Sequence, residues 1–144
     1  LAKMRIIINA ENLVLGRLAS FVAKRAMEGD QIDIINSDKA IMTGSKETLL
    51  SKYKIKRDKG GPLYGPYISR EPEGIVRRTI RGMIPHKQAK GKVAYKNVRC
   101  YSGIPKDLKD KEFITLEKAR IKDSTRKYME VGSLAKLLGS HYES

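Results

Sequence analysis

MRIIINAENLVLGRLASFVAKRAMEGDQIDIIN, residues 4–36, is the stretch whose reading decides the fold. Met4–Asn9 is a short β-branched run. Asn12 is placed to cap the helix that comes next. From Leu13 onward, Leu15, Leu18, Ala19, Val22 and Ala26 recur at helical spacing. Gly29 then stands where a left-handed residue closes a helix. Gln31–Asn36 is a second apolar, strand-like run. Strand, helix and strand in so short a stretch form a βαβ unit, whose strands are parallel and whose crossover is right-handed. The Ile34-Ile35 pair predicts a strand covered on both faces.

Ser51–Arg57, SKYKIKR, alternates Tyr53 and Ile55 with Lys52, Lys54 and Lys56. That pattern predicts a half-exposed strand with one cationic face. Gly60-Gly61-Pro62 and Gly65-Pro66 mark a long loop carrying Tyr64 and Tyr67. Pro72 suits the first turn of a helix. In that helix Val76, Thr79, Ile80 and Met83 share one side, and Arg77, Arg78 and Arg81 project from the other. Gly82 and Pro85 end it. The latter part of His86–Asn97 reads as another helix, with Gly91 as its weak point. Val98–Ser102 reads as the fourth strand. Val131–His141 is an amphipathic helix through Val131, Leu134, Leu137 and Leu138. The expected fold is α/β: a three-layer αβα body with a four-stranded, mainly parallel sheet. Residues 1–104 form its core. Residues 105–144 form a helical C-terminal extension, packed on that core or on neighbouring molecules.

The 144 residues carry 30 Lys and Arg against 16 Asp and Glu, a net charge of +14. Such a surface attracts polyanions, nucleic acid first and an anionic membrane second. Half of the 30 basic residues fall in 46–99, beside Glu47, Asp58, Glu71 and Glu73 alone among the acids. A solvated lysine-rich face normally interleaves carboxylates, so this segment reads as a binding surface. Cys100 is the single cysteine, which excludes an internal disulfide. Cys100, His86 and His141 cannot make a four-ligand Cys/His zinc site. No apolar run exceeds three residues, so neither a membrane-spanning helix nor a signal peptide core is expected. A reducing, cytoplasmic compartment fits.

Thr43-Gly44-Ser45-Lys46 invites comparison with a phosphate loop. That motif needs a glycine where Lys39 stands, and Ser or Thr after the lysine. Lys46 therefore has a structural or RNA-phosphate role. No GxGxxG follows Met4–Asn9, so a dinucleotide fingerprint is missing. His86 has no motif that brings it a nucleophile and an orienting acid; phosphate or base contact, or plain solvation, explains it. Asp30, Asp33 and Asp38 are explained by caps and turn bonds as well as by a carboxylate cluster. The three arginines are a stronger signal, because guanidinium forks bind phosphate bidentately. Tyr64 and Tyr67 either stack on unpaired bases or anchor the core.

Several blocks resemble one family. Val14-Leu15-Gly16-Arg17-Leu18-Ala19-Ser20 is similar to the first-helix signature of large-subunit ribosomal protein L13. Ile35-Asn36 through Thr43-Gly44 resembles its second-strand segment. Gly65-Pro66-Tyr67 and the run Arg77-Arg78-Thr79-Ile80-Arg81-Gly82-Met83-Ile84-Pro85-His86-Lys87 resemble its most diagnostic block. Tyr101 through Pro105, with an extension ending near Tyr142, looks like the archaeal and eukaryotic branch. The resemblance covers nearly the whole chain. It implies a parallel four-stranded sheet between helices, binding to large-subunit ribosomal RNA, neighbouring ribosomal proteins as partners, and no catalysis. No cofactor, membrane or small-molecule substrate is expected. The candidate RNA contacts are Lys46, Lys52, Lys54, Lys56, Arg57, Lys59, Arg70, Arg77, Arg78, Arg81, His86, Lys87, Lys90, Lys92 and Lys96, with Arg17 added from the family motif. The glycine- and proline-rich loop 59–69 is expected to gain order on binding.

Overall fold

The computed structural model describes residues 4–58, 71–121 and 127–140, the side chains of 56–58 excepted. The βαβ unit forms as its pattern predicts. Arg5–Asn9 is strand β1, Leu15–Met27 is helix α1 and Gln31–Ile35 is strand β2. β1 and β2 run parallel, with Ile6 opposite Ile32 and Ile8 opposite Ile34. α1 buries Leu15, Leu18, Ala19, Val22, Ala23 and Ala26. Gly29, at φ +102°, closes it in the left-handed conformation that glycine adopts without strain.

Asn12 does not cap α1. The cap position is Val14, which makes no side-chain cap bond. Asn12 sits instead at φ +63°, a region that asparagine tolerates better than most residues. Long-range bonds hold this approach to the helix. The Asn12 N–H donates to Lys39 O, the Val14 N–H to Ala119 O, and the Ile41 N–H to Leu13 O.

Ile41–Thr43 is strand β3, Val98–Cys100 is β4 and Tyr128–Glu130 is β5. Among the described residues three strands, where four were expected, make the parallel sheet, in the order β1-β2-β4. β3 pairs antiparallel with β5 in a separate two-stranded ribbon. The strand expected over Ser51–Arg57 is part of helix α2, Lys46–Asp58. Leu49 and Tyr53, four residues apart, bury one side of that helix, while Ile55 is exposed. Its start is set by Ser45, whose Oγ accepts the Thr48 N–H at 3.2 Å.

Pro72–Arg81 is helix α3 and Ala89–Lys96 is helix α4. Val131–Leu137 is helix α5, burying Val131, Leu134 and Ala135, with Leu138 buried just beyond it and Leu137 left exposed. The main core joins Ile6, Ile8, Ile32, Ile34 and Val98 of the sheet to the inner faces of α1, α3 and α5. On the opposite face no helical layer exists among the described residues. There Ile7 and Ile35 pack on Leu108 and Tyr101, below a 3₁₀ turn at Lys106–Leu108. The Ile114 N–H then donates to Ile7 O, laying the chain along β1. The described residues thus make two layers plus an irregular cover, where an αβα sandwich was expected. None of the described helices is long and apolar enough to cross a membrane.

Gly91 is no weak point. A Cβ there would lie 1.8 Å from the Pro85 carbonyl oxygen, so glycine is what lets α4 pack against the turn after α3. Gly91→Ala should lower the melting temperature, against the usual helix gain of ~1 kcal/mol for that change. Leu18, with no exposed surface, sets the scale for the core. Leu18→Ala should cost about 2–5 kcal/mol in denaturant unfolding; a midpoint equal to the parent's would contradict this packing.

Candidate nucleic-acid interface

α3 buries Pro72, Ile75, Val76 and Ile80, which fixes where its arginines emerge. They do not form one outward face. Arg77 turns inward. Its Nε donates to Val98 O at 3.2 Å, its Nη2 to Tyr95 O at 3.3 Å, and its guanidinium lies 3.9 Å from the centre of the Tyr95 ring. Asn97 O and the Tyr101 N–H serve β2, so alternation leaves the Val98 carbonyl on the outer edge of β4. Arg77 therefore caps a sheet edge and one of the last carbonyls of α4. Arg78 is exposed and Arg81 half-buried. Met83, expected on the buried side, is exposed.

The remaining candidates are arranged by two helices. Lys90, Lys92 and Lys96 stand exposed on α4, because Gly91 and Ala94 take its buried side. Lys87 is exposed just before it. Lys46, Lys52 and Lys54 are exposed on α2. Lys56 and Arg57 also belong to α2, but their side chains, together with Lys59, Arg70, Tyr64, Tyr67 and the loop 59–69, lie outside the described residues. His86 Nδ1 lies 3.2 Å from Arg81 O and 3.3 Å from Ile84 O. Two carbonyl acceptors make Nδ1 the donor nitrogen here, which leaves Nε2 as the nitrogen available to a partner. Arg17 is exposed on α1 and donates from Nη1 to Lys118 O at 3.3 Å, tying the late segment to the helix.

Two acids of the region, Glu71 and Glu73, are turned to later chain. Glu73 accepts from Ser102 Oγ at 2.5 Å and Glu71 from Ser140 Oγ at 2.9 Å. Arg5, Arg25 and Arg120 make ion pairs. Lys46, Lys52, Lys54, Arg78, Arg81, Lys87, Lys90, Lys92 and Lys96 make no ion pair with a described carboxylate. The aspartates do not gather. Asp30 pairs with Arg25 at 2.7 Å, Asp33 with Arg5 at 2.9 Å, and Asp38 accepts the Gly103 N–H at 3.1 Å. Among the described residues no three His, Cys, Asp or Glu side chains could hold a metal ion. Gly44, at φ +133°, and the capping Ser45 make Thr43–Lys46 a strand-to-helix turn. Burial pushes the Cys100 thiol up to about 12, outweighing the pull of Arg77; it is not a nucleophile at neutral pH.

The model of the family "Ribosomal protein L13" matches residues 3–107. The chain belongs to the ribosomal protein L13 family. That family is structural and non-enzymatic. This L13 chain is 46% identical over 140 residues to "Large ribosomal subunit protein uL13" of Methanosphaera stadtmanae, covering 94% of this chain and 98% of that one. It is 43% identical to the protein of that name in Methanosarcina barkeri, over 94% of this chain and 99% of the other. The Archaeoglobus fulgidus protein of that name is 39% identical, over 92% and 86% respectively. The archaeal character expected from residues 101–142 agrees with these relatives.

The sequence periodicity missed the role of Arg77. The signal for it was Tyr95, an aromatic near the end of α4, but its pairing with Arg77 depends on how α3 and α4 cross. Arg77→Glu in this L13 chain should therefore destabilise the fold, on the order of 2 kcal/mol for bonds made by a charged donor. Arg78→Glu should leave the melting temperature within experimental scatter. Equal melting temperatures for the two variants would show that the Arg77 cap does not hold the edge.

Proposed function

We propose that this chain is a structural constituent of the large ribosomal subunit, working in the cytoplasm. In this reading it binds large-subunit ribosomal RNA through exposed cations of residues 46–99 and so supports subunit assembly and translation. The observation that carries it is the set of exposed cations on α2, α3 and α4 with no carboxylate partner among the described residues. Like charges so gathered repel one another until an anion neutralises them. RNA phosphates do so and release their counterions, which makes the affinity fall with salt. Lysines on helix surfaces reach the backbone rather than base edges, so shape and phosphate position are read more than sequence. The names of the relatives give the setting: each is a large-subunit ribosomal protein.

The two parts of the chain divide the labour. Residues 1–104 supply the RNA-binding body, and 105–144 act as an extension that packs on it or on neighbouring RNA and protein. Apolar side chains at 119, 131, 134, 135 and 138 lie in the main core cluster, which favours packing on the body. Neighbouring ribosomal proteins are the second partner class. A regulator of messenger RNA would use the same cations; sedimentation separates the two readings, since a regulator leaves a sizeable pool outside large subunits.

Lys87→Gln/Lys90→Gln/Lys92→Gln should fold normally, all three being exposed. Its affinity for a large-subunit ribosomal RNA transcript should fall. The slope of log affinity against log salt should become shallower by up to about three, near one for each phosphate no longer neutralised. Parent-like affinity and slope would refute the reading.

A further inference from the structure

The parallel sheet has a face that the described residues cover only in part. Side chains alternate along each strand, and Ile6, Ile8, Ile32, Ile34 and Val98 point to the helices. Arg5, Gln31, Asp33 and Arg99 therefore share the opposite face, with Arg5 beside Gln31 and Asp33 beside Arg99 in the register. Parallel sheets are normally covered by apolar packing on both sides. Among the described residues, only the carboxyl-end half of this face is covered, where Ile7 and Ile35 meet Leu108 and Tyr101. The amino-end half is a polar concavity of about 170 Å³, lined by Arg5, Gln31, Asp33, Lys96, Asn97 and Arg99.

We propose that this concavity is a second RNA contact, which takes a backbone phosphate between Arg99 and Lys96; it rests on the RNA-binding reading above. Three cations surround one carboxylate. Asp33 is already used: its Oδ2 accepts Nε and Nη2 of Arg5, at 3.0 and 2.9 Å. Arg99 and Lys96 make no ion pair with a described carboxylate and are exposed. Charge complementarity thus calls for an anion, and the polar lining excludes an apolar occupant. Continuity makes that anion a polymer. Lys96 lies one helical turn beyond Lys92, ~6 Å along the axis of α4 at 1.5 Å per residue. The chain then passes directly from α4 into β4, which carries Arg99. Lys92 and Lys96 share one side of α4, and with the concavity they make one cationic track that passes from the helix to the far face of the sheet. An RNA strand that follows it contacts both the helical side of the protein and the far face of its sheet.

The test uses the full chain and a large-subunit ribosomal RNA transcript, titrated over a range of salt. Arg99→Gln should weaken binding and reduce the salt slope by about one. Arg99→Lys should keep most of the slope. Lys39→Gln removes an exposed charge at the opposite end of the strands and should change neither. If Arg99→Gln binds like the parent while the Lys87/Lys90/Lys92 triple variant loses affinity, the concavity is not an RNA contact. An equal loss for Lys39→Gln would also overturn it, since only net charge would then be at work. If neither Arg99→Gln nor the triple variant changes binding, the failure is that of the RNA-binding reading itself.

Discussion

The parallel register of β1 against β2 constrains everything else in this protein. A parallel pair cannot be closed by a tight turn, so the chain between the strands becomes α1, laid over one face. With Ile6 beside Ile32 and Ile8 beside Ile34, that face is apolar and meets Leu18 and Val22 of the helix. A slip of one residue in either strand would turn its alternate side chains over and send Arg5 or Asp33 into the helical core. Val98 in β4 continues the same apolar row, and α3 and α5 complete the cover.

The charges are sorted by this frame. Carboxylates of the basic segment, Glu71 and Glu73, are drawn to hydroxyls of Ser140 and Ser102, on chain that comes later. Among the described residues, Lys46, Lys52 and Lys54 on α2 and Lys90, Lys92 and Lys96 on α4 have no carboxylate partner. Repulsion among them costs little in water because screening is strong. The same cations become effective when phosphates are held against them. Arg77 is the exception. Its guanidinium is spent on two carbonyls and an aromatic ring, joining α3 to α4 and β4 and so steadying the helix that presents Lys90, Lys92 and Lys96.

The far face of the sheet shows what happens when a parallel sheet is covered by irregular chain rather than helices. Leu108 and Tyr101 cover Ile7 and Ile35. Beyond them the strands carry charged and amide side chains at their amino ends, and the Asp33–Arg5 pair satisfies the carboxylate there. The C-terminal segment does more than cover. Through β5 it pairs with β3, and through the Val131 N–H it bonds to Ala40 O. These bonds fasten the late segment to the chain that directly follows β2.

Residues 4–36 determined their own structure, because strand and helix periods there are unambiguous and each apolar position has one face to bury. The α3 helix after Pro72 was equally legible, as was the concentration of charge in 46–99. Period alone misled at Ser51–Arg57. Lysine and apolar residues alternate there, yet Leu49, Tyr53 and the Ser45 cap favour a helix, and the burial of Tyr53 decided it. Gly91 reads as a helix breaker until the Pro85 carbonyl is seen against it. Arg77 and Arg78 are neighbours of one residue type, and no local pattern separates them. Which one is held inside depends on the crossing of α3 with α4 and the position of an edge carbonyl, and these are contacts between residues about twenty apart in the chain. Arg5 and Arg99 were invisible as a pair for the same reason: only strand register brings residues so distant in sequence to one face.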